Sequence, residues 1–257
     1  MAHRSGRESV VANPLITKLE RYARLSIEDR QALERMSCER VRQVGARRDL
    51  IREGDSPREM NLVLSGWACR HRELSDGRRQ IVSLLLPGDI CDLNVFVLRE
   101  MDHTISAMTR VTYAELPREA FGRIMDDHPR VAHAMWWEAL VQNAIQREWV
   151  LNLGQRDSFE RLSHFLCEVF LRLRAVGMTD GDTCAFPATQ AELSAALGLS
   201  AVHVNRTLQE LRSAGLIVLK DKTLTIPDMD ALERAALFNR NYLHLDREGA
   251  HLDANDR

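Results

Sequence analysis

The sequence has few cysteines, and no two of them are close enough in sequence to form a C-x-x-C motif. Only five occur among 257 residues: Cys38, Cys69, Cys91, Cys167 and Cys184. An odd number of cysteines with no C-x-x-C pair is not typical of disulfide scaffolds or zinc ribbons. This cysteine content predicts a reducing compartment, the cytoplasm.

Long apolar runs are also missing. No segment approaches the roughly 20 apolar residues that a membrane-spanning helix needs. The opening residues MAHRSGRESVVANP have no apolar core, so they do not resemble a secretion signal. We therefore predict a soluble protein that stays inside the cell and does not bind membranes.

The sequence lacks a strong net charge and the common catalytic motifs. Its formal net charge is -2, so any surface for nucleic acid must be local. It contains no G-x-S-x-G, H-E-x-x-H or G-x-x-x-x-G-K-[ST] motif. His128 and His133 are five residues apart, which is not the spacing that places two metal ligands on one helical face. We predict neither an enzyme nor a metal site.

Local composition divides the chain into five segments and indicates an α+β fold. Short helices are expected before residue 37, and short β-prone runs ended by glycine follow from about 39 to 117. Ser75-Asp76-Gly77 predicts a hairpin turn between two of these runs. The predicted segments are a flexible lead-in (1–14), a β-barrel or β-roll domain (15–127), a long helix (128–155), a C-terminal domain (156–227) and an acidic tail (228–257).

The long helix is apolar around nearly its whole circumference, so it needs more than one partner. One face can cover the β-domain, and another can meet the same helix of a second chain. The alternative is burial within one monomer. We predict a homodimer formed through Ala134, Trp137, Val141, Ala144 and Ile145.

Two short helices with an intervening glycine follow in the C-terminal domain. Thr189 to Glu192 forms a T-x-x-E capping box, which begins a helix. Gly198 ends that helix, and Ser200 can cap the next one. Val204, Leu208 and Leu211 then recur at the spacing of a buried helical face. LIVLK and TLTI flank Asp221-Lys222 as a β-hairpin, so the order predicts a winged helix-turn-helix.

The other face of the second helix carries residues that suit DNA. In this motif, residues near the start of the second helix meet base edges in the major groove. Arg206 can pair with guanine, Asn205 or Gln209 with adenine, and the wing lysines with phosphates. The alternative is an ordinary solvated face. The predicted DNA-binding residues are Thr189, Ser200, Ala201, Val202, His203, Asn205, Arg206, Gln209, Lys220 and Lys222.

This layout resembles the Crp/Fnr superfamily of bacterial transcriptional regulators. The resemblance rests on Gly54-Asp55, Gly66 and Pro87-Gly88-Asp89 at the glycine corners, and on LGLSAVHVNRTLQELRSAGLI. It implies a jelly-roll-like, cyclic-nucleotide-binding-like β-roll, a dimerisation helix, palindromic DNA and RNA polymerase as a partner. The family pattern S-R-x-[ST]-V-x-R matches at Ser200 and Arg206. Because Ala201 and His203 depart from that pattern, a different DNA target is expected.

The resemblance also implies an effector region, which departs from cyclic AMP binders. Those members have a G-E pair after the P-G-D corner and an R-S pair on the next strand. Here the first position holds Asp92-Leu93, the second falls near Met101-Asp102-His103, and the carboxylates of Asp92 and Asp102 would repel a phosphate. We predict no cyclic AMP binding; the β-roll is either filled or takes another small effector. The predicted pocket residues are Asp92, Leu93, Asn94, Arg99, Asp102, His103 and Thr104.

Other kinds of regulation remain open at this stage. An iron–sulfur cluster matches poorly, because it uses four cysteines near the N-terminus and none precedes Cys38 here. Haem could use Cys91 and His103, although single residues of these types more often serve packing. A β-roll that regulates a partner protein without DNA is the remaining alternative, and it has no use for a winged helix.

Overall fold

The computed structural model describes residues 13–93 and 95–245, and it confirms the α+β class. Two short helices come first and the strands of a β-roll follow. A long helix then leads to a second domain of helices and short strands. The helices are α1 (Pro14–Leu19), α2 (Ile27–Glu39), α3 (Arg118–Asp127), α4 (Pro129–Gln155), α5 (Ser158–Ala175), α6 (Gln190–Leu197), α7 (Ala201–Ser213) and α8 (Met229–Ala235).

The described strands form three sheets. The strands are β1 (Val41–Val44), β2 (Asp49–Ile51), β3 (Glu59–Ser65), β4 (Ala68–Glu73), β5 (Arg79–Leu85), β6 (Thr104–Ala107), β7 (Val111–Pro117), β8 (Thr179–Asp180), β9 (Thr183–Ala185), β10 (Val218–Lys220) and β11 (Thr223–Thr225). The first seven form the β-roll as two antiparallel sheets, ordered β1-β7-β3 and β2-β6-β4-β5, and the predicted turn at Ser75-Asp76-Gly77 joins β4 to β5. The third sheet, ordered β10-β11-β9-β8, belongs to the C-terminal domain.

Two of the predicted corner glycines are required by close approach of the backbone. Gly66 has φ +81°, and a Cβ there would lie 2.1 Å from the carbonyl oxygen of Arg110. Gly88 has φ +92°, and a Cβ there would lie 2.8 Å from the carbonyl oxygen of Pro14. Positive φ disfavours other residues in any case. These corners therefore fix how the strands turn and where α1 lies.

The long helix is present, but its exposed face differs from the prediction. Ala134, Val141, Ala144 and Ile145 are buried within the chain, and Trp137 is half-buried. Their assignment to a dimer contact is corrected, because the chain's own helices and β-roll already cover that side. The apolar residues of α4 that remain exposed are Trp136, Leu140, Val150 and Leu151.

The C-terminal domain packs directly against the β-roll. Gln80 on β5 donates from its side-chain amide to the carbonyl of Ala196 on α6, at 3.2 Å. The rings of Trp67 and Phe186 meet edge to face, with centroids 5.5 Å apart. Each contact joins a residue of the predicted β-domain to a residue of the predicted C-terminal domain. The two domains therefore share one continuous core.

The predicted tail is folded as far as the structure describes it. In α8 and the residues that follow, Leu232, Ala236 and Leu243 are buried in the common core. Phe238 contacts the ring of His164 on α5, with centroids 4.7 Å apart. The predicted boundary at residue 227 therefore falls inside a packed unit, because residues on both sides of it share one core. Residues 246–257 of the predicted tail and 1–12 of the predicted lead-in lie outside the described residues.

Candidate nucleic-acid interface

The first helix of the helix-turn-helix begins with the predicted capping box. The side chain of Thr189 accepts from the backbone N–H of Glu192 at 3.2 Å, and the Glu192 carboxylate accepts from the backbone N–H of Thr189 at 2.7 Å. The Thr189 hydroxyl also donates to that carboxylate at 2.8 Å. Gly198 ends the helix in the left-handed region, at φ +62°. The hydroxyl of Thr189 is therefore occupied by the cap, and its predicted DNA contact would have to compete with it.

The second helix, α7, orients its two faces as the spacing predicts. Ser200 caps it by accepting from the backbone N–H of His203 at 3.3 Å. Val204, Leu208 and Leu211 are buried, together with Thr207. The remaining face is exposed and carries Ala201, Val202, His203, Asn205, Arg206 and Gln209. The structure thus brings the predicted base-contacting residues together on one open surface.

Arg206 lies in the middle of this surface, with a carboxylate beside it. Its Nε is 3.5 Å from Glu210 Oε1, one helical turn further along. The guanidinium offers several donors in a planar fork, so one edge can stay near Glu210 while the other meets an acceptor. Exposed ion pairs of this kind contribute little stability. We therefore expect Glu210 to orient the Arg206 side chain while leaving its guanidinium able to bind DNA.

The wing is a two-residue hairpin, as predicted. Asp221 and Lys222 occupy its turn with φ of 50° and 60°, and Lys220 pairs with Thr223 across it. Positive φ at both central residues is the twist that a tight hairpin needs. Lys220 and Lys222 are exposed. Both ammonium groups are therefore available to phosphates.

Three of the predicted effector residues, Asp92, Asp102 and His103, form a charged cluster with Arg70, which the sequence did not identify. Asp92 accepts from Arg70 Nη2 at 2.7 Å and lies 3.0 Å from His103 Nε2. His103 Nδ1 lies 2.6 Å from Asp102. Arg70 comes from β4, where it is opposite Ile105 of β6. Nothing in the local sequence marks Arg70, because it is 22 residues from Asp92 in sequence and only the fold brings the two together.

The other predicted effector residues do not join this cluster. The side chain of Arg99 is 95% exposed, and its Nε lies 3.8 Å from Glu100. Thr104 accepts from the backbone N–H of Glu53 at 3.0 Å, and Leu93 is half-buried. Asn94 lies outside the described residues. Beside Asp92 the structure has a cavity of about 10 Å³, which is no more than water-sized.

Burial lowers the pKa of His103, but hydrogen bonds and charge from Asp92, with help from Asp102, raise it more, so the net shift is upward. A raised folded-state pKa adds stability below the unfolded value, and this contribution disappears as pH rises through the folded value. We expect the free energy of unfolding to fall more steeply in the native chain than in His103→Gln as the pH rises above about 6.5, the ordinary pKa of histidine. Urea titrations of both proteins across this range measure it. Parallel curves would contradict the prediction.

The thiols are poor candidates for redox or metal chemistry. Burial raises the pKa of the Cys69 thiol to about 11 and raises the pKa of the Cys91 thiol still further. A thiolate is the form that binds metals or reacts, and burial disfavours it. In the described part of the chain, no three His, Cys, Asp or Glu side chains are grouped to hold a metal ion. Within the same residues, no helix is long and apolar enough to cross a membrane.

A buried ionic network joins the two domains. Asp89, in the P-G-D corner, accepts from Arg172 of α5 and from Lys18 of α1, both at 2.6 Å. Arg172 also contacts Glu168 at 3.2 Å, and Lys18 contacts Glu138 of α4. Burial alone would raise the pKa of Asp89, but the two cations lower it overall. The carboxylate is therefore held ionised at the point where the β-roll and the C-terminal domain meet.

Sequence models of two domain families match the chain. A cyclic nucleotide-binding domain matches residues 41–128, and a Crp-like helix-turn-helix domain matches residues 160–235. These ranges coincide with the β-roll and with the domain that presents α7.

Individual related proteins support the same assignment as the two domain models. The transcriptional activator protein FnrL of Cereibacter sphaeroides is 30% identical over 207 residues, which is 78% of this chain and 80% of that one. The nitrogen fixation regulation protein FixK of Bradyrhizobium diazoefficiens is 28% identical, covering 68% of this chain and 72% of that one. The solved structure of FixK2 from Bradyrhizobium japonicum shares the fold, with a TM-score of 0.67 and 21% identity over 76% of this chain and 96% of that one. The chain belongs to the Crp/Fnr family of DNA-binding transcriptional regulators.

Proposed function

We propose that this regulator is a homodimer that binds two-fold-symmetric DNA through α7 and responds to a signal other than cyclic AMP. The observation that carries the proposal is the exposed polar face of α7, together with the exposed lysines of the wing. Its role is binding rather than catalysis, and RNA polymerase is the expected partner. Because the regulator acts on DNA, we expect it in the cytoplasm.

The proposed base contacts follow from side-chain chemistry. Arg206 pairs with guanine, and Asn205 or Gln209 pairs with adenine. Ala201 and Val202 contact a thymine methyl group, and Val202 is suited to this because 78% of its surface is exposed. Lys220 and Lys222 neutralise phosphates, which adds affinity without sequence preference.

Dimerisation is assigned to the exposed apolar face of α4. Trp136 and Leu140 are 61% and 64% exposed, and Val150 is 71% exposed three turns further on. Large apolar side chains exposed along one helix favour contact with another protein surface. Two copies related by a two-fold axis bury this face and place two α7 helices about 34 Å apart, one turn of DNA.

We expect Leu140→Glu to shift the chain from dimer to monomer, because each partner would bury an unpaired carboxylate. Light scattering at micromolar concentration measures the mass. Leu74→Glu is the matched control, since Leu74 is also exposed but lies on the β-roll. A native chain that is monomeric with and without DNA would refute the dimer. A Leu140→Glu chain that stays dimeric would move the interface elsewhere.

We expect cyclic AMP not to bind. Arg70 is the arginine that contacts Asp92, one of the predicted effector residues, so its guanidinium is already paired, at 2.7 Å. A cyclic phosphate would have to displace Asp92 or lie beside it. Titration calorimetry with cyclic AMP is expected to show no heat of binding up to about 1 mM. A saturable signal in the micromolar range would overturn this part of the proposal.

A further inference from the structure

We propose that His203 determines part of the DNA specificity by donating its Nε2–H to a guanine in the major groove. The inference rests on the proposed function, because it assumes that α7 meets base edges. It assigns a donor, an acceptor and a tautomer to a position where the related family pattern has serine or threonine. An imidazole at this position reaches further than a hydroxyl and can present only one of its nitrogens.

The tautomer follows from the cap of α7. Ser200 Oγ accepts from the backbone N–H of His203 at 3.3 Å and lies 3.2 Å from His203 Nδ1. One lone pair of the hydroxyl is used by the backbone, and within the described residues Nδ1 is the protein acceptor that its proton can reach. We therefore assign the Ser200 hydroxyl as the donor and Nδ1 as the acceptor. The proton of the neutral imidazole then resides on Nε2. The same serine that starts the helix thus makes the outer nitrogen a donor.

The outer nitrogen is free to contact DNA. His203 lies in the first turn of α7 and is exposed, and within the described residues its Nε2 bonds to no other protein group. In the major groove, guanine offers two adjacent acceptors, N7 and O6, whereas cytosine offers a donor. Adenine and thymine each offer one acceptor, N7 or O4, beside a donor or a methyl group. A fixed Nε2–H therefore fits guanine best and disfavours cytosine.

The test uses duplexes carrying a selected site in which each guanine is replaced in turn by 7-deazaguanine, which lacks the N7 acceptor. Native chain, His203→Ala and Arg206→Ala are compared by fluorescence anisotropy. We expect one guanine per half-site at which the replacement weakens native binding about 5- to 10-fold and leaves His203→Ala unaffected. That guanine should remain sensitive in Arg206→Ala, whose own guanine is a different one.

Variants of the cap separate positioning from folding. Ser200→Thr keeps the hydroxyl and should retain the guanine preference, whereas Ser200→Ala should lose much of it while circular dichroism shows α7 still folded. Sequence-specific binding whose base preference is unchanged in His203→Ala would overturn the inference alone. Failure of the native chain to bind any duplex selectively would overturn the proposed function and the inference together.

Discussion

Replacing Arg172 with alanine is expected to lower the free energy of unfolding by about 3–5 kcal/mol. The guanidinium is buried between Asp89 and Glu168, at 2.6 and 3.2 Å, and it also donates to the carbonyl of Leu84 at 3.0 Å. Without it, Asp89 keeps its ion pair with Lys18, whereas Glu168 keeps hydrogen bonds from Trp149 and Tyr242 but loses its cation. The buried negative charge is then left partly uncompensated. The loss is large because charges that have been removed from water need their partners.

Chemical denaturation measures this effect, and Arg174→Ala is the matched control. Arg174 is on the same helix but is exposed, and it only lies over the ring of Phe170 at 5.9 Å. We expect the control to cost less than about 1 kcal/mol. The double variant Arg172→Ala with Asp89→Ala should be less destabilised than the sum of the two single variants, because the residues interact directly. Equal losses for Arg172→Ala and Arg174→Ala would contradict the role given to the network.

Arg206→Ala is expected to weaken binding to the preferred site by about 1–3 kcal/mol and to relax the preference at one base position per half-site. The side chain is 59% exposed, so its removal leaves the fold unchanged. The loss arises because the guanine would keep its acceptors without the planar fork of donors. Binding to a cognate and a scrambled duplex over a salt series measures this effect.

Lys222→Ala is the matched control for that measurement. If Lys222 contacts only phosphate, its loss should weaken both duplexes equally and lower the salt slope by about 1 per contact. An equal loss of affinity for both duplexes in Arg206→Ala, with the fold intact, would make Arg206 a phosphate contact. Base discrimination would then depend on His203, Asn205 or Gln209.

Local sequence predicts the elements that are stabilised locally. Thr189 and Glu192 form their capping box within four residues, and Ser200 caps α7 in the same way. The spacing of Val204 and Leu208 fixes which face of α7 is buried. For this reason the helix-turn-helix and its exposed face could be predicted without a structure.

Long-range contacts could not be predicted in the same way. Arg70 of β4 meets Asp92 across 22 residues of sequence, and Arg172 meets Asp89 across 83 residues. The face of α4 was misassigned because its apolar residues surround the helix. Periodicity alone could not show that the β-roll and α5 cover Val141 and Ile145 rather than Leu140.

Selection of binding sites from random duplex DNA, using the purified full chain, tests the central claim most directly. The account predicts enrichment of a two-fold-symmetric sequence whose half-sites lie about one helical turn apart. Each half-site should contain a guanine whose preference disappears in Arg206→Ala. Enrichment of no sequence, or of a sequence that Arg206→Ala selects equally well, would contradict it.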